Sequence, residues 1–119
     1  MKKLLIAAVG IVAALVLSSC SSSSADVSPE NTSIGVVIDV RTPAEYAAGH
    51  VASAINIDVE SGAFDSAIAT LDSSVTYVVY CHSGRRSAIA AEKMSNAGLT
   101  VLDGGAFDNM IAQGWTIGS

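Results

Sequence analysis

The sequence predicts an α/β fold with a small, mostly parallel sheet covered by helices on both faces. Three observations carry that expectation. Two near-continuous β-branched runs, "IGVVIDV" (34–40) and "VTYVVY" (75–80), read as strands buried on both faces. Segments of helical spacing fall between the strand-like runs, and the connections between them are short. Finally, the lone internal cysteine, Cys81, directly follows the second run and precedes a helical segment. In parallel sheets that strand end is where ligands bind.

The elements follow in order. After the run at 34–40, Thr42 can cap a helix, Pro43 suits its first position and Glu45 closes a capping box. That helix should stop at Gly49. "SAINI" (53–57) is a short strand candidate. "GAFDSAIATL" (62–71) places Phe64, Ala67, Ile68 and Leu71 on one helical face. From Gly84 or Arg85 to Ala97, apolar residues keep helical spacing, and Gly98 marks a stop. "LTVL" (99–102) is a third strand, and "AFDNMIAQ" (106–113) a last short helix.

The start of the chain reads differently. Lys2 and Lys3 precede fourteen apolar or glycine positions, Leu4 to Leu17. A bilayer span takes ~20 residues, so this run fits the apolar core of a secretory signal. "LSSC" (17–20) resembles the bacterial lipobox, which implies residues 1–19 as signal peptide and Cys20 as a lipidated first residue. The alternatives are an ordinary signal peptide cut near Ala25, or a signal anchor. Residues 20–33 are serine-rich and read as a flexible tether, with one domain at 34–119. An extracytoplasmic chain held to a membrane by its lipid anchor is the expectation.

Charge narrows the function. The chain carries 6 basic and 11 acidic residues, a net −5. Loss of Lys2 and Lys3 would leave four basic residues and a net −7. No basic stripe is present, which argues against nucleic-acid binding. No His or Cys pair has metal-ligand spacing, and no cofactor is expected.

Lipidation of Cys20 would leave Cys81 with no disulfide partner. Such a cysteine is a small buried hydrophobe or a working thiol. Its neighbours, "CHSGRRS" (81–87), favour the thiol. A strand end, a loop and a helix start can curl backbone N–H groups around an anion. Gly84 frees the backbone for that curl. The Cys81 pKa should therefore fall below the free value of ~8.5. Arg85 and Arg86 add positive charge, and one of them can grip an anion in a forked manner. A thiolate so placed could attack phosphorus, arsenic or sulfur. The tyrosine-phosphatase pattern needs an arginine six residues after the cysteine, where this chain has Ser87.

Cys81-His82-Ser83-Gly84-Arg85-Arg86-Ser87 resembles the active-site loop of single-domain rhodaneses, C-x-x-G-x-R-S. "IDVRTPAEYAAGHVASAINI" (38–57) is similar to that family's early segment, with Asp39, Arg41, Glu45, Tyr46, Gly49, His50, Ala54 and Asn56 matching. "VLDGGAFDNMIAQGW" (101–115) is similar to its closing segment. The resemblance implies a rhodanese-like fold and sulfur transfer through a Cys81 persulfide. Thiosulfate or a similar anion would be the donor, and a thiol or cyanide the acceptor. Arg86 would hold the donor's anionic end, with loop N–H groups from His82 to Ser87 around the persulfide. His82 and Arg85 would tune substrate choice or face water. Asp39 and Arg41 would pair and brace the strand-end loops, and His50 would be structural. A module that binds a persulfide or an anion without turnover is the alternative. The chain departs from the family at Ala52-Ser53, where a looser turn is expected, and in the closing helix, where Phe107 or Trp115 would replace a tryptophan. It also offers no strand and helix ahead of the first core strand.

Overall fold

The computed structural model describes residues 27–119. In chain order the elements are β1 (Val36–Asp39), α1 (Pro43–Ala48), β2 (His50–Val51), β3 (Ile55–Asn56), α2 (Phe64–Ile68), β4 (Thr76–Cys81), α3 (Arg85–Asn96), β5 (Thr100–Ala106), α4 (Phe107–Ala112) and β6 (Ile117–Gly118). Four strands form a parallel sheet in the order β3-β1-β4-β5. The two strongest β-branched runs thus take the two central places, which bury both faces.

Side chains alternate across a strand, and this divides the core in two. Tyr77, Val79 and Cys81 of β4 point to the face that α2 and α3 cover, where they meet Phe64, Ile68, Ala90 and Met94. Val78 and Tyr80 point to the other face, where they join Val51, Ala54 and Met110 of α4, with Tyr46 of α1 packed alongside. Helices therefore cover both faces, as expected. Cys81 lies on the α3 side and Tyr80 on the α4 side.

Local chemistry accounts for the ends of the elements nearest Cys81. Thr42 caps α1, and Glu45 returns a bond to the Thr42 N–H, so the capping box is complete. The last strand of the parallel sheet, β5, runs past Leu102, where the apolar run ends, as far as Ala106. Its glycine pair makes this extension. A Cβ at Gly104 would lie 2.6 Å from Met110 Sδ, and Gly105 has φ +80°. A bulge between Val79 and Tyr80 brings Ala106 opposite Cys81. The glycines are thus packing and turn residues that let β5 flank the end of β4.

Other expectations need correction. The part of the proposed tether that is described, residues 27–33, is docked. Val27 is buried in the α4-side core, its carbonyl accepts a bond from Trp115 Nε1, and Pro29 packs at Gly114. The folded unit therefore begins ahead of residue 34. The signal segment 1–19, Cys20 and residues 21–26 lie outside the described residues. The helix expected at 62–71 is confined to α2, whose N-terminus has no side-chain cap. The antiparallel pair of β2 with β6 was not foreseen, because two-residue strands show no alternation. The Ala52-Ser53 turn is closed rather than loose. Ala54 N–H donates to Val51 O at 2.8 Å and Tyr46 OH to Ala54 O at 2.7 Å.

Candidate active site

Cys81 ends β4, and α3 starts four residues later. Gly84 bridges the gap with φ +104°, a left-handed conformation that side chains disfavour by ~1–2 kcal/mol. This reversal turns the chain back over the cysteine. Gly84 N–H donates to Cys81 Sγ at 2.9 Å. Burial alone would push the Cys81 thiol up. The N–H groups of Ser87, Gly84 and Ser83, with the Ser87 hydroxyl, outweigh it, and the net shift is downward. Backbone donors thus replace the water that a thiolate would otherwise need. Ser87 is buried, and its hydroxyl also donates to Gly84 O at 3.1 Å, tying the loop to the first turn of α3.

The enclosure is close. Cys81 is 0% exposed, whereas His82 and Ser83 beside it are exposed. Of the cavities, one lies between α2 and α3 near Asp65 and Lys93, another beside Pro29 and Trp115, and neither is lined by Cys81.

The structure separates the two arginines. Arg85 is largely exposed and faces Glu60 at 3.7 Å. Arg86 is mostly buried, and its Nη1 and Nη2 donate to the two Glu45 oxygens at 2.8 and 3.0 Å. The fork expected to hold an anionic donor is thus occupied by a carboxylate of the protein. This corrects the reading of Glu45 as a cap alone: the same Oε1 accepts from the Thr42 N–H and hydroxyl. Glu45 joins the start of α1 to the start of α3. The capping box hid this second role, because one signature already explained the residue.

Asp39 and Arg41 lie below the loop in a buried pair. Asp39 Oδ1 accepts from Arg41 Nε at 2.9 Å, and Oδ2 from Arg41 Nη2 at 2.6 Å. Arg41 Nη2 also donates to Gly49 O at 2.7 Å. Burial works against the Arg41 charge, but Asp39 more than offsets it and raises the arginine's pKa. Tyr80 OH donates to Asp39 Oδ2 at 2.9 Å and accepts from Val51 N–H at 2.9 Å. Tyr80 belongs to the apolar run of β4, yet its hydroxyl links β1, β2 and β4. Phe107 stacks on Tyr80 and lies under the Arg41 guanidinium, 4.8 Å from it. His50 is structural, with Nδ1 2.8 Å from Tyr46 O and its ring stacked on Tyr46. Among the described residues, no group of three or more His, Cys, Asp or Glu side chains is arranged to hold a metal ion.

A parallel sheet, a cysteine at the end of a central strand and a loop of inward N–H groups define an α/β domain with an anion-stabilising thiol. The profile of the rhodanese-like domain matches residues 24–108. The chain belongs to that family. Among curated proteins, it is 41% identical over 66 residues to the thiosulfate sulfurtransferase PspE of Escherichia coli K12, covering 56% of this chain and 64% of that protein. It is 37% identical over 65 residues to a tRNA sulfurtransferase of Thermoplasma acidophilum, covering 55% of this chain and 12% of that one. The matches thus span less than two thirds of either relative. Among solved structures, a rhodanese-related protein from Thermoplasma volcanium superposes with a TM-score of 0.65 at 33% identity, over 75% of this chain and 88% of that one. An E. coli rhodanese with anions gives 0.60 at 33% identity, over 71% and 96%.

The Arg86 contact makes acid stability testable. Hydrogen bonds from Arg86 hold Glu45 at about 2, well below the usual carboxylate range. A depressed carboxylate contributes stability above its unfolded pKa and loses it as pH falls through the folded one. Between pH 4.5 and 2, the native chain should therefore lose more stability than Glu45→Gln, while being the more stable of the two at neutral pH. Urea midpoints measured across that range should converge toward acid. Parallel curves would show that the contact contributes nothing.

Proposed function

We propose that this chain is an extracytoplasmic sulfurtransferase that moves a sulfane sulfur from thiosulfate, or a similar donor, to a thiol or cyanide through Cys81. The observation that carries the reading is the convergence of the Gly84, Ser87 and Ser83 N–H groups on the Cys81 sulfur. The Cys81 thiolate attacks the outer sulfur of thiosulfate. The bond between the two donor sulfurs breaks, sulfite leaves with its electron pair, and Cys81 carries a persulfide anion. An acceptor thiolate or cyanide then attacks the outer sulfur and returns Cys81 to the thiolate. The exchange follows thiol–disulfide chemistry and needs no outside oxidant.

The loop N–H groups stabilise the negative sulfur in both states. Gly84 supplies the reversal and Ser87 ties the loop down, while His82, Ser83 and Arg85 line the exposed side where the donor arrives. Arg86 acts mainly by position. With Glu45 across its fork, it fixes the start of α3, and its charge and that of the Cys81 thiolate stabilise each other. Asp39 and Arg41 hold the ends of β1 and β4 in register beneath the loop. Donor binding requires the loop at the exposed His82 and Ser83 to give way, since the Cys81 sulfur is buried at rest.

That enclosure also favours a second reading, a module that stores or senses a persulfide without turnover. Intact-mass measurement after thiosulfate treatment divides the two. Both predict a gain of about 32 Da, one sulfur, on Cys81. Turnover predicts that cyanide discharges it; storage predicts that it stays.

Purified protein should form thiocyanate from thiosulfate and cyanide, and Cys81→Ala should abolish the reaction. Retained turnover in that variant would rule out the mechanism. The membrane attachment rests on Lys2, Lys3, the apolar run and the "LSSC" segment ending at Cys20. Cys20→Ser should move the protein from the membrane to the soluble fraction, and unchanged fractionation would reject lipidation at that residue.

A further inference from the structure

The loop that encloses Cys81 is less basic in its surroundings than in its sequence. Arg86 is matched by Glu45. Arg85 is met at 3.7 Å by Glu60, with side chains 72% and 56% exposed. Glu60 follows β3 in a turn closed by its own N–H, which donates to Asp58 Oδ1 at 2.8 Å. From there its charge also acts on Arg86. Two arginines are therefore set against two glutamates beside the sulfur, on a chain of net charge −5.

An exposed contact of this kind contributes little to stability. Its consequence falls on whatever approaches. Within about a Debye length, a unit charge beside a negatively charged reactant changes its encounter by roughly two- to fivefold at low salt, and more for a dianion than for a monoanion. We infer that Glu60 is a specificity-setting residue, which damps Arg85 and tilts Cys81 away from dianionic thiosulfate toward donors of low charge, such as the persulfide of a small thiol. The inference rests on the sulfurtransferase reading. With such a donor, the Cys81 thiolate attacks the outer sulfur of R–S–SH, the donor S–S bond breaks, R–S⁻ leaves, and Cys81–S–SH forms.

The test separates charge from turnover. Alkylation of Cys81 in the full chain is followed on its own peptide with anionic iodoacetate and neutral iodoacetamide, for the native protein, Glu60→Gln, Arg85→Gln and the double variant. Glu60→Gln should raise the iodoacetate-to-iodoacetamide rate ratio about two- to fivefold at low salt, and Arg85→Gln should lower it by a similar factor. The double variant should return near the native ratio, and all differences should shrink at about 0.5 M salt. The kcat/KM for thiosulfate should rise in Glu60→Gln, while that for a small persulfide of lower charge changes less. An alkylation ratio unchanged or lowered in Glu60→Gln would overturn the inference, as would a gain that persists at high salt. Failure of the native protein to take sulfur from any donor would instead strike the sulfurtransferase reading, and the alkylation ratio would still decide whether Glu60 damps Arg85.

Discussion

Cys81 ends a central strand with its sulfur enclosed, and an enclosed thiolate is unstable unless something other than water solvates it. Here the solvent is the backbone. The N–H groups of Gly84, Ser87 and Ser83 face the sulfur, and their combined effect exceeds the cost of burial. The neighbouring features keep that curl in shape. Gly84 provides the left-handed turn, and Ser87 hydrogen-bonds back to it. Arg86 and Glu45 clamp the first turn of α3 to the first turn of α1, and the glycine bulge of β5 lets Ala106 lie beside Cys81.

Beneath the loop, the Asp39–Arg41 pair performs a different task. Breaking a buried pair by removing one partner typically costs about 3–5 kcal/mol, yet an apolar replacement of both is often neutral. The pair is therefore weak evidence for stability and better evidence for placement. Its bonds run to Gly49 at the start of β2, to Tyr80 on β4 and, through Asn56, to β3. Burial and the neighbouring Asp39 charge push the Tyr80 phenol above its ordinary value, while the Val51 N–H pulls against them. Tyr80 thus stays a neutral donor to Asp39. One buried charge pair holds the strand ends from which the Cys81 loop departs.

Much of this was legible in the sequence because each feature had a local signature. The β-branched runs marked β1 and β4, the spacing from Arg85 to Ala97 marked α3, and Thr42-Pro43 with Glu45 marked the start of α1. The cysteine loop could be read as an anion cradle from its order of residue types. What stayed hidden depends on partners distant in sequence. Glu45 meets Arg86 41 positions away, and Glu60 meets Arg85 across two elements. Tyr80 was an apolar strand residue until Asp39 came beside it. Val27 looked like part of a polar tether, because nothing nearby shows that Trp115, 88 residues on, reaches its carbonyl. The β5 glycines gave no local signal of their role, whereas Gly104 is required by Met110 and Val78 pressing on the backbone.

The two glutamates change how a double-arginine loop is understood. Read alone, "GRR" promises an open cationic mouth. In the folded chain one guanidinium is chiefly a structural clamp and the other is an exposed cation partly countered by Glu60, so most of the stabilisation of the sulfur falls to the peptide groups.

That division can be measured at one atom. The rate of Cys81 alkylation by a neutral reagent, followed against pH on the peptide that contains it, reports the thiol's own titration. The account predicts a midpoint below the ~8.5 of a free cysteine. A midpoint at or above that value would mean that the peptide groups do not hold the charge, and would contradict it.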